Sequence, residues 1–265
     1  RRWIEWVIYV YAFVFVARII QFGMFVRITR FSNNQVSVAM LIPVVIYYAI
    51  SDIYHEKPNI IPAVVTWILA LLSRGRSGII VCTFLFVAVF LNYSKHTDQA
   101  GLQSKFKVIT KLLINVTLIF GGSYLLYILF SRYGDLILGK FFERGVDNTA
   151  REIIWKEYIK YACNDIKFFL LGVPKRILLI GQLYDNNTHN SFISIHANNG
   201  IVMFLLCGVL LIRAVNYSIK KHYYIYLACI LTFCLRGFFD NVFWGTWGTV
   251  TFTFLLFVPL LKKET

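Results

Sequence analysis

The sequence predicts an all-α, polytopic integral membrane protein with about eight transmembrane helices and one large extracytoplasmic loop containing amphipathic helices. Three observations carry that expectation. The 265 residues are 58% hydrophobic and 17% aromatic but only 15% charged, where a soluble domain carries about 25% charge. The apolar residues fall in long runs, on the scale of the ~20 residues that cross a hydrocarbon core. The basic loops all fall on one side when eight spans are counted, as the positive-inside rule requires.

The candidate spans, in order, are 6–26, 35–50, 59–72, 78–92, 108–130, 197–215, 223–235 and 245–261. The stretch 223–261 admits another division, because "RGFFDN" interrupts it. Three parts follow: five spans in 1–130, a loop over 131–196, and three spans in 197–265. The chain opens on "RRWIEW" without a methionine, as a fragment does, so the lack of a signal peptide carries no meaning.

Orientation follows from lysine and arginine. "SKHTDQAGLQSKFK" (94–107), "SIKK" (218–221), Lys262 with Lys263, and Arg1 with Arg2 share one side, assigned to the cytoplasm. The opposite face then carries "VRITRFSNN" (26–34), "SRGRSG" (73–78), the loop 131–196 and "RGFFDN" (236–241). In the loop, "NTAREIIWKEYIKYACNDIKFFL" (148–170) reads as an amphipathic helix with Ile153, Ile154, Tyr158 and Tyr161 at helical spacing. Asn148 or Thr149 would cap it and "GVPKR" would end it. Such a helix lies on the membrane or over a cavity.

Several function classes drop out. A net charge of +14 in such a chain favours anionic lipid or substrate and a fixed topology. No basic recognition helix or aromatic-basic motif marks a nucleic-acid binder. Of five cysteines, Cys82, Cys207, Cys229 and Cys234 lie in apolar runs and Cys163 stands alone, so no zinc or disulfide spacing exists. There is no DxD pair, P-loop or GxSxG. No metal and no cofactor is expected.

Arg27, Arg30, Arg74 and Arg76 lie on the face that positive-inside bias disfavours. They either snorkel to headgroups or meet an anion. Arg74 and Arg76 sit in a tight turn where Gly75 and Gly78 allow close backbone approach. Gly78 is expected to open a helix whose amides suit a phosphate. Arg18, inside the first span, faces a cavity or partner or snorkels outward. Arg151 opens the amphipathic segment, where solvation or a pair with Glu152 or Asp147 is the plain alternative.

"NTHNSFISIHANNG" (187–200) precedes the sixth span. Thr188 or Asn187 would cap a helix with His189 in its first turn, and His196 two turns on. The dipole there favours neutral imidazole, the form a general base needs. Asn190 and Ser191 add groups of the kind that hold sugar hydroxyls. The plain alternative is a water-facing helix cap.

Three segments together resemble the bacterial O-antigen polymerase and O-antigen ligase superfamily of polytopic glycosyltransferases. "LLSRGRSGII" (71–80) resembles its serine–arginine motif between two spans. "DNTAREIIWKEYIKY" with "FFLLGVP" resembles its arginine-plus-tryptophan loop helix and Gly-x-Gly stretch, with one glycine missing. "THNSFISIHANNGIVMFLL" (188–206) resembles its His-Asn-x-Phe motif, and "RFSNNQVSVAMLI" (30–42), with Arg30, is a fainter match. Members usually have more spans, so the resemblance implies further spans N-terminal to this chain.

The resemblance implies a bacterial inner-membrane enzyme with its site facing the periplasm. The donor would be a glycan on undecaprenyl pyrophosphate and the acceptor a sugar hydroxyl of another lipid-linked unit, or of lipid A core in a ligase. Arg76 and Arg151 would hold the pyrophosphate, with Arg74, Arg30 and Asn190 as further substrate contacts and His189 as the base. The motif alignment favours Arg76 over Arg74, and His196 is expected to be structural. Membrane lipid and a chain-length regulator protein are the implied partners. A lipid-linked oligosaccharide transporter is the alternative of another class.

Overall fold

The computed structural model describes residues 2–22, 33–73, 75–98, 149–178, 187–243 and 246–261. The expected span 108–130, Arg27, Arg30 and Arg74 lie outside the described residues. Two compact units are present, Arg1–Phe90 with Asn148–Thr265, and Leu91–Asp147. All described helices belong to the first unit except the end of α4.

The described residues are helical without a strand: α1 (Arg2–Phe22), α2 (Asn33–Ile53), α3 (Ile61–Ser73), α4 (Arg76–Asp98), α5 (Thr149–Asn164), α6 (Ile166–Leu171), α7 (Ser191–Lys220), α8 (Tyr224–Phe239) and α9 (Thr246–Leu261). The all-α expectation holds, and each expected span within the described residues falls on a helix. Val36–Ile53 and Ser191–Lys220 are long and apolar enough to cross a membrane by length and composition. Ile61–Ser73, Arg76–Asn92, Tyr224–Phe239 and Trp247–Val258 are apolar but shorter. Only 11% of the α7 window is buried in the protein, and Val202 is 75% exposed. That surface fits a lipid-facing helix better than the core helix of a soluble domain, which would hide it from water.

Helix α2 is the centre of the packing, against α1, α3, α8 and α9. Met40, Leu41, Val44, Val45, Tyr47 and Tyr48 are buried there. At its last turns the tyrosine hydroxyls are satisfied. Tyr47 donates to Glu5 at 2.7 Å and Tyr48 to the Asn59 carbonyl at 2.8 Å. Asp52 accepts from the Tyr226 amide at 2.9 Å, so α2 supplies an anion to the N-terminus of α8. At the start of α2 the chain is close to α4. A Cβ on Gly78 would overlap Ser37 Oγ, so this glycine sits inside α4 and serves helix contact, rather than opening the helix as expected.

The loop segment is two helices, not one to Leu170. Asp165 caps the second, accepting from the Lys167 amide at 2.8 Å, and breaks the first at Asn164. The buried stripe of α5 is Ile154, Tyr158 and Ala162, packed with Val173 and Leu178. Ile153 and Tyr161, expected on that face, are exposed. Positions four apart share a helix face more closely than those three apart on either side of it. Helix α6 ends at Gly172, whose φ of 92° suits glycine alone.

Helix α7 starts earlier than the expected 197 and kinks at Gly200 (φ 73°, ψ −174°). The α6 end runs against this kink. A Cβ on Gly200 would overlap the Leu170 carbonyl, and one on Gly172 would overlap the His196 carbonyl. The polar turns Ser191–Asn199 therefore point at a different angle from the apolar remainder.

Candidate functional site

The cap of α7 differs from the expected one. Asn190, not Thr188 or Asn187, is the N-cap: its Oδ1 accepts from Phe192 at 2.9 Å and Ile193 at 3.1 Å. Asn190 is buried, and its carboxamide oxygen serves the backbone amides that open the helix. Thr188 Oγ1 donates to the Asn190 carbonyl at 2.8 Å and lies 2.5 Å from Ser194 Oγ. His189 thus stands before the helix rather than in its first turn, and the dipole argument does not apply to it. It holds a left-handed φ of 49°, with its amide donating to Asn187 Oδ1 at 2.9 Å. A non-glycine residue in that region stores backbone strain that the surroundings must hold.

The last turn of α8 comes up beside it. Ser191 Oγ donates to the Asp240 carbonyl at 2.9 Å and accepts from the amides of Val242 at 2.7 Å and Phe243 at 3.1 Å. One hydroxyl thereby fixes the 240–243 turn against the α7 start. His189 Nδ1 faces Asp240 Oδ1 at 3.8 Å, an ion-pair distance too long for a hydrogen bond. Arg236 Nη2 meets Asp240 Oδ2 at 3.3 Å from one helical turn below, with its side chain fully buried. Burial works against the Asp240 carboxylate. His189, Arg236 and the Asn241 amide outweigh it and bring its pKa down to about 2.

Arg151 reaches the same place from the first turn of α5. Burial lowers its pKa, Asp240 opposes that, and the positive charge of Arg76 adds to it. Arg76 is the first residue of α4, half-buried at a helix N-terminus. Arg151 is therefore within electrostatic reach of both Arg76 and Asp240, and Asp240 has His189 and Arg236 as its own close neighbours. Arg30 and Arg74 lie outside the described residues. Arg18 is exposed on α1.

His196 stands apart from this group. Its Nε2 is 2.7 Å from the Phe169 carbonyl and its Nδ1 2.5 Å from the Tyr158 hydroxyl. Both ring nitrogens are thus engaged by the protein, in a buried position.

Sequence reasoning missed Arg236 and Asp240. The sequence places "RGFFDN" as a break between spans and a segment of the outer face, with no role for its two charged residues. The available signal was an Arg–Asp pair four apart at a helix end, where both side chains share one face. Arg151 on α5 is thus the link between Arg76 at the start of α4 and the Arg236–Asp240 pair at the end of α8, and Asp240 in turn faces His189 before α7. Such a group can hold a multivalent oxyanion and present a ring nitrogen for proton transfer. Among the described residues no group of three or more histidine, cysteine or acidic side chains could hold a metal ion. No family model matches this chain, and no curated protein or solved structure does.

Proposed function

We propose that this chain is a metal-independent polymerase of a bacterial surface polysaccharide, multi-pass in the inner membrane with this site on the periplasmic side. It would transfer a glycan from undecaprenyl pyrophosphate to a sugar hydroxyl of another lipid-linked unit. The observation that carries the reading is the convergence of Arg76, Arg151 and Arg236 with the His189–Asp240 pair. Arg76 and Arg151 neutralise the charge that develops on pyrophosphate as the anomeric C–O bond breaks, and Arg236 holds Asp240. His189 takes the acceptor proton while the new C–O bond forms at the same carbon. Its Nδ1 faces Asp240, so Nε2 is the nitrogen turned to substrate. The carboxylate orients the ring and stabilises the imidazolium that proton uptake creates.

The test has two parts. Deleting the gene and resolving the surface polysaccharide on a gel should leave a single-repeat band on lipid core. Free lipid-linked polymer with bare core identifies a ligase instead, and an unchanged glycan rejects both. With purified variants and lipid-linked substrate, His189→Ala should lose transfer by about 10²–10⁴ yet still bind donor. Arg76→Ala and Arg151→Ala should abolish transfer and weaken donor binding, with poor rescue by lysine, which lacks the planar bidentate contact.

A further inference from the structure

Arg151 and the His189 turn come from separate segments, so something must hold them in register. Helix α5 carries Arg151, Trp155 and Tyr158 at four- and seven-residue intervals, which puts all three on one face. Trp155 Nε1 donates to the Thr188 carbonyl at 3.1 Å, the peptide that leads directly into His189. Its ring packs edge-on against Phe238 at 5.3 Å, on the same helix as Arg236 and two residues before Asp240. Tyr158 meets His196 Nδ1 one turn further along. The Phe169 carbonyl can only accept, so His196 Nε2 carries the proton and Nδ1 accepts from Tyr158. One histidine, held at both ring nitrogens, thus pins α5, α6 and α7 together.

We propose that Trp155 and Tyr158 are positioning residues that set Arg151 against His189, with His196 as the fixed post to which Tyr158 is tied. The inference rests on the reading of Arg151 as a pyrophosphate ligand. Neither side chain touches substrate. Each acts through the arginine one or two turns before it, and Trp155 also holds the peptide that presents the base. The strained φ of His189 makes such a hold necessary, because a left-handed residue relaxes when its neighbours loosen.

The full chain in nanodiscs tests this, with undecaprenyl pyrophosphate as the binding probe. Trp155→Phe keeps the ring on Phe238 and loses the N–H, and Tyr158→Phe keeps the ring and loses the hydroxyl. Each should weaken binding about five- to tenfold, the equivalent of one net hydrogen bond. In an Arg151→Ala background the same changes should alter binding less than about twofold, because the residue they act through is gone. Equal factors in both backgrounds mean a general structural role and overturn the proposal. If Arg151→Ala weakens binding but both phenylalanine variants match the parent, positioning fails and the functional reading stands. If Arg151→Ala binds like the parent, the functional reading fails and takes this inference with it. A measurement on the parent protein needs no variant to fold: ¹⁵N shifts of His196 should show the Nε2–H tautomer, and the Nδ1–H tautomer overturns the latch.

Discussion

Asp240→Asn perturbs the electrostatic centre of the site while keeping side-chain size. The magnitude comes from two observations. The carboxyl pKa falls from 3.8 to about 2 on folding, although burial acts against ionisation. That difference corresponds to about 2 kcal/mol of stabilisation at neutral pH. The substitution also leaves Arg236, with a fully buried side chain, without its carboxylate at 3.3 Å. Removing one partner of a buried pair costs about 3–5 kcal/mol. The melting temperature should therefore drop by roughly 5–15 °C in a chain of this size. The pH dependence has a definite sign. A carboxyl whose folded pKa is depressed stabilises fully above its unfolded value, and that contribution disappears as pH falls through about 2. Tryptophan fluorescence melts in detergent, from pH 7 down to pH 2, should show parent and variant far apart at neutral pH and converging below about pH 4. Equal melting temperatures at pH 7, or curves that run parallel through the acid range, would refute the reasoning.

Three further outcomes are expected. Ser191→Ala removes the acceptor of the Val242 and Phe243 amides and the donor to the Asp240 carbonyl, so it should cost about 2–4 kcal/mol by denaturant melts, with Ser191→Thr milder. Gly200→Ala should destabilise by at least about 1–3 kcal/mol and detach α6 from α7, seen as faster amide exchange at residues 166–172, because the position has φ 73° and abuts the Leu170 carbonyl. A cysteine at Asp147 should react with an impermeant reagent in intact cells and one at Gln103 should not; the reverse pattern breaks the eight-span assignment.

Much of the helical plan was legible because it depends on composition along the chain. Apolar runs marked α1 to α4 and α7 to α9 without knowledge of their neighbours, since each must bury or lipid-coat its own surface. Boundaries were less legible. The α7 start moved to Ser191 because Asn190, beyond the expected caps Asn187 and Thr188, accepts the first amides. Several asparagine, threonine and serine residues in a row all qualify as caps by type, and only the path of the chain selects one. The split at Asp165 was hidden for the same reason.

By itself the sequence determined an all-helical, lipid-compatible chain and which residues had unusual chemistry for their place, Arg76, Arg151 and His189 among them. Those are properties of residue type and local periodicity. The tertiary structure alone decided that Arg76 and Arg151 are within electrostatic reach of each other, that Asp240 rather than a helix dipole faces His189, and that Arg236 completes the group. It also decided that His196 belongs to a latch with Tyr158. Electrostatic reach ends within about a Debye length in space and takes no account of separation along the chain. Side chains tens of positions apart, such as Arg76 and Arg151 or His189 and Asp240, therefore join only once helix packing has put their helix ends side by side.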